Sequence, residues 1–157
     1  MKAATLSELK TELHTVPPLQ VLELCLKLAK FKKENKELLS YLLFDAVDEQ
    51  GFINSVKDEI DEQLLNLNKS SLYLAKKTLR KILRTTNKYI RYSGLKRTEV
   101  DLLIYFCQKV KNSGVPVHKS IALTNIYQRQ IQKIIKALKT LHEDLQYDYE
   151  DVIKTLN

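Results

Sequence analysis

Residues 70–92 read SSLYLAKKTLRKILRTTNKYIRY. Wound as a helix at about 100° per residue, they separate into two faces. Leu72, Ala75, Leu79, Ile82, Leu83, Thr86, Tyr89 and Ile90 share one side, while Lys76, Lys77, Arg80, Lys81, Arg84, Lys88 and Arg91 share the other. The cations span an arc of roughly 140°, and between Glu62 and Glu99 the chain carries positive charge only. Tyr73 falls on the basic side, and Lys96 and Arg97 lie just beyond the stretch. An amphipathic helix with one face for a core and the other for an anion is the unit that the rest of the chain must accommodate.

Outward from this helix the same period recurs. Upstream, from Phe52 on, Ile53, Val56, Ile60, Leu64 and Leu67 line one face, and Asp58, Glu59, Asp61 and Glu62 the other, which predicts a fourth helix with a solvated acidic outer surface. Before it, KELLSYLLFDAVDE follows a break at Asn35 and predicts a third helix, strongly apolar and ended by Gly51. Residues 18–33 predict a second helix, opened by Pro17-Pro18, whose leucines spread over more than one stripe and so ask for cover on several sides. Thr5 and Glu8 form a T-x-x-E capping box ahead of a short first helix near His14.

Downstream, Gly94 stops the basic helix, and Thr98, with Asp101 three residues on, is read as the cap of a sixth. VDLLIYFCQKV is apolar almost all round and predicts the central buried helix of the C-terminal half, ended by Gly114 and Pro116. A seventh helix starts between His118 and Asn125 and runs past Leu141. The acidic tail marked by Asp144, Asp148, Glu150 and Asp151 supplies a last short one. No segment alternates with strand period, and three glycines leave little material for hairpins. The expectation is an all-α chain of seven or eight helices in antiparallel pairs, as a short α-solenoid or a compact helical bundle, in a single domain over 1–157, with the third and sixth helices most buried.

Composition narrows the function. A net charge of +7 in 157 residues and a pI near 9.3 favour an anionic partner. Cys25 and Cys107 sit in apolar runs without metal spacing and read as buried free thiols. With no apolar leader core and no run of membrane length, these thiols suggest a soluble cytoplasmic protein. His14, His118 and His142 are scattered, and His142-Glu143-Asp144 reads as a solvated cluster. There is no H-E-x-x-H, C-x-x-C, phosphate loop or nucleophile elbow, so no enzyme activity, cofactor or metal is expected.

What remains is a helical binding module. Its nucleic-acid-binding candidates are Tyr73, Lys76, Lys77, Arg80, Lys81, Arg84, Lys88, Arg91, Lys96 and Arg97. Against this stand the expectations that the acidic fourth helix, packed alongside, neutralises part of the face, that an acidic protein partner or a second copy occupies it, or that the chain is a protein-interaction scaffold or homo-oligomer with no nucleic-acid role. A second pattern, SIALTNIYQRQIQKIIKAL, has helix-turn-helix spacing if Thr124-Asn125 turns, which would aim Gln128, Arg129, Gln130 and Lys133 outward.

Overall fold

A computed structural model describes residues 2–156. Among them are eight α-helices and no strand: α1 (Leu6–Thr15), α2 (Pro18–Phe31), α3 (Lys33–Ser40), α4 (Glu49–Leu65), α5 (Leu72–Ser93), α6 (Lys96–Asn112), α7 (Ile121–Leu138) and α8 (Glu143–Leu156). Helices α2 and α3, α4 and α5, and α6 and α7 pack as successive pairs. The chain divides into two compact units, Met1–Phe44 and Asp45–Asn157.

The larger unit is a bundle built round α6. Val100, Leu102, Leu103, Phe106 and Cys107 are wholly buried and span an arc of roughly 160°, so α6 needs more than one neighbour. It finds them in α4, α5, α7 and α8. From α5 come Ala75, Leu79, Ile82, Leu83 and Thr86, which is the apolar face expected from the sequence. Ile53, Val56 and Ile60 come from α4, and Leu123, Ile131 and Ile134 from α7. The start of α4 lies against the end of α5, because Phe52 meets the Tyr89 ring edge-on at 6.0 Å and Ser93 donates to Glu49 at 2.5 Å. The α4/α5 pair is therefore antiparallel.

Several local readings need correction. Gly51 does not end a helix but sits in the first turn of α4, where its N–H donates to Asp48 Oδ1 at 2.9 Å. A Cβ there would lie 2.3 Å from Asp48 Oδ2, so glycine is what lets the cap fold back. The break before α3 falls at the extended Lys32 rather than at Asn35, whose side chain donates to the Leu28 carbonyl at 2.9 Å. Thr98 is no cap: α6 begins at Lys96, and the buried Thr98 hydroxyl donates to Glu49 of α4. The capping box at Thr5 forms as read, with Thr5 N donating to Glu8 Oε2 at 2.7 Å. Gly94 also ends α5 as read, at φ 68° with its N–H bonded to the Ile90 carbonyl.

The N-terminal unit departs furthest from expectation. The sequence places the third helix among the most buried, yet α3 has no buried residue and passes into a π-helical turn, Tyr41–Asp45, in which only Tyr41 is buried. Leu42, Leu43 and Phe44 are exposed, and so are Leu19, Leu22, Leu24, Leu26, Leu28 and Phe31 of α2. Apolar composition states a preference for burial, and here that preference is unmet. Cys25 is exposed with its helix, contrary to its reading as a core thiol, while Cys107 is buried.

The two thiols should therefore behave oppositely. Burial pushes the Cys107 thiol up to about 12, so little thiolate forms there at ordinary pH. Ellman's reagent on the folded protein at pH 8 should modify one cysteine, Cys25, and reach the second only in denaturant. Two equally fast modifications would contradict the packing of α6.

Candidate nucleic-acid interface

Helix α5 is positioned before it presents any charge. Asn68 Oδ1 accepts from the backbone N–H groups of Ser70 and Ser71 at 3.0 and 2.9 Å, and Ser71 Oγ then caps Leu74 N at 3.3 Å. With one face locked in the core, the opposite face is obliged to project outward. Lys77, Arg80, Lys81, Arg84 and Arg91 are exposed, and Lys76 and Lys88 are half-buried. Lys77, Thr78, Arg80, Lys81 and Arg84 line one surface depression of about 530 Å³.

The aromatic residues on this face sit among the ammonium groups. Tyr73 is 63% exposed, with Lys76 Nζ 5.4 Å and Lys77 Nζ 6.0 Å from its ring centre. At the other end, Lys88 Nζ lies 5.0 Å from the Tyr89 ring and 6.0 Å from that of Tyr92. Cations three and four residues apart repel one another, as Lys77/Arg80, Lys77/Lys81, Arg80/Arg84 and Lys81/Arg84 do here, each pair by about 0.2–0.5 kcal/mol.

The acidic α4 packs beside α5 but does not neutralise this face. Three of its carboxylates are engaged elsewhere. Glu49 accepts from Ser93 and Thr98, Glu59 from the Tyr89 hydroxyl at 2.8 Å, and Asp61 from Tyr105 and Lys109 of α6 at 2.7 Å each. Glu59 and Asp61 are thus structural rather than solvated, contrary to the reading of an open acidic surface. Among the described residues, no ion pair engages Lys76, Lys77, Arg80, Lys81, Arg84 or Arg91.

Not every candidate belongs with them. Lys96 pairs with Glu99 at 2.7 Å and Arg97 lies 4.0 Å from Asp101, so both cations are matched within the first turns of α6. Lys96 still borders a second depression, of about 390 Å³, together with Asn87, Arg91 and Lys133. Lys133 comes from α7 and donates to Asn87 Oδ1 at 3.2 Å, bringing a cation from another helix to the C-terminal end of the basic face. A signal for it existed: Ile121–Leu138, like residues 70–92, contains no acid. The helix-turn-helix reading fails, because α7 is continuous through Thr124 and Asn125 and Gln130 is buried.

Among the described residues no group of three or more His, Cys, Asp or Glu side chains is placed to hold a metal ion, and no helix is long and apolar enough to cross a membrane. His142 and Asp144 stand 3.3 Å apart, both exposed. Comparison with protein-family models, curated proteins and solved structures finds no match.

The Asp61 contacts carry a pH signature. Burial pushes its carboxyl up, but the hydrogen bonds from Lys109 and Tyr105 and the Lys109 charge outweigh this and hold it below its ordinary value of 3.8. A depressed pKa contributes stability that is complete above the unfolded value and is lost as pH falls through the folded one. The stability gap between wild type and Asp61→Asn, measured by urea unfolding, should be constant from pH 7 to about 5 and narrow below 3.8. A gap that does not change with pH would show that the carboxylate charge is irrelevant to the contact.

Proposed function

We propose that the protein is a non-catalytic module that binds nucleic acid through the basic face of α5. The observation that carries this reading is the row Lys77, Arg80, Lys81 and Arg84, exposed along one helix with no ion pair among the described residues, while Glu49, Glu59 and Asp61 of the neighbouring α4 hold other partners. Clustered cations bind phosphates with release of condensed counterions, an entropic gain that neutral or singly charged ligands do not offer. Arg80 and Arg84 add planar, forked donors suited to phosphate oxygens. Tyr73, exposed beside two lysines, offers a face for stacking a base or a hydroxyl for a backbone oxygen. Lys133 extends the positive surface to α7, whereas Lys96 and Arg97 contribute less because Glu99 and Asp101 offset them.

A protein-interaction role is the second reading, favoured by one observation: the uncovered apolar residues of α2 and the π-helical turn. The two readings concern different surfaces and are tested separately.

Salt-titrated binding to duplex and single-stranded DNA and RNA tests the first. Engagement of about five cations should give a log–log slope of about −4 to −5 on duplex DNA. Reversing Lys77, Arg80 and Arg84 to glutamate should flatten the slope by about one unit for each phosphate no longer neutralised, with unfolding midpoints nearly unchanged. Absence of salt-dependent binding by the wild type at low ionic strength would end the nucleic-acid reading. Loss of folding in the triple variant would show that these charges serve the fold instead.

A further inference from the structure

The N-terminal unit contains a site of different chemistry. Between α2 and α3 lies a groove of about 560 Å³, lined by Leu26, Ala29, Leu39, Leu43 and Phe44, with Ser40, and by Lys30, Lys32, Lys33 and Lys36. No acid lines it. Among the described residues, Lys33 alone of the four lysines has an ion pair, a loose one with Glu37 at 3.7 Å, and its own side chain is 88% exposed. Leu43 and Phe44 are 60% and 72% exposed, large values for side chains that gain free energy from burial.

We propose that this groove docks an acidic amphipathic helix of a partner protein, with leucine-like anchors on the apolar floor and carboxylates against the four lysines. A floor of five apolar residues calls for apolar anchors, and a rim of one sign calls for the opposite charge. A concave strip between two helices suits a third helix, which would bring neighbours into the i, i+3, i+4 and i+7 pattern. A membrane surface fits less well. An interfacial helix needs one strongly polar face, whereas the exposed leucines of α2, from Leu19 and Leu22 to Leu24 and Leu28, run nearly all round it, as in a helix enclosed by protein. A two-fold contact of this groove with its copy would set lysine against lysine, which opposes self-association there.

The test uses the full chain and a synthetic helix of roughly 20 residues, long enough to hold its fold. Leucines stand at the anchor spacing with flanking glutamates, and a twin carries lysines in place of the glutamates. By fluorescence anisotropy the glutamate peptide should bind at least about tenfold tighter than its twin. Lys30→Glu with Lys36→Glu should reverse that preference, and Leu43→Asp should weaken both peptides. Circular dichroism checks the fold of each variant. The lysine changes lie on exposed side chains and decide the matter even if Leu43→Asp does not fold. Reversal of Lys77, Arg80 and Arg84 should leave peptide binding unchanged.

Equal affinity for the two peptides, binding of neither, or loss of binding on reversing α5 rather than the groove would overturn the assignment. So would concentration-dependent self-association in the ultracentrifuge, or sedimentation with equimolar phosphatidylcholine/phosphatidylserine vesicles, if Leu43→Asp abolishes it. The first of these would give the groove to a second copy, and the second to a lipid surface.

Discussion

A helix whose apolar arc is wider than one neighbour can cover has to be packed from several sides, and α6 is such a helix. From Thr98 and Leu102 round to Val100 and Ile104 its buried side chains span roughly 240°, so α4, α5, α7 and α8 are drawn against it to keep them from water. The hydrogen bonds of the bundle then act mainly as alignment. Glu49 joins the end of α5 to the start of α6, Asp61 ties the middle of α4 to Tyr105 and Lys109, and Asp101 receives the Tyr149 hydroxyl of α8 at 2.5 Å. Each is an interhelical contact of modest net worth. Their value lies in fixing which turn meets which, something apolar contact alone does loosely.

The same enclosure explains the basic surface. Because α5 gives Leu79, Ile82 and Leu83 to α6 and its neighbours, rotation about its axis is fixed, and every cation is delivered to the opposite side. Glu59 and Asp61 of α4, the helix packed beside α5, are held by other groups. Their use by tyrosine hydroxyls and by Lys109 keeps the two charge systems apart.

What could be read from the residues followed from local period. The two faces of α5, the wide buried arc of α6 and the helix stop at Gly94 all depend on neighbours within a few turns. What could not be read depended on distant partners. Thr98 resembles a cap, but its acceptor, Glu49, is 49 residues away. Gly51 resembles a terminator, but its reason is the Asp48 carboxylate folding over it. The apolar runs of α2 and α3 resemble core because hydropathy does not reveal whether anything is present to cover them. The pairing of Lys96 with Glu99 and Arg97 with Asp101 was legible, since i, i+3 and i, i+4 spacings of opposite charge are visible in the sequence, and the candidate set was to that extent too broad.

Helical pitch holds the α5 cations at a separation they cannot relax. In a loop, like charges drift apart; on a helix fastened to a core, the backbone holds Lys77, Arg80, Lys81 and Arg84 within about two turns whatever their repulsion. The unliganded protein therefore carries a small, permanent internal tension, which a counter-charge of either origin would relieve. A polyanion relieves it from outside, and a carboxylate placed at one of these positions would relieve it from within. Stability and the proposed binding are thus opposed at the same residues: a variant selected only for thermal resistance would tend to acquire acids on α5 and lose its one-signed surface.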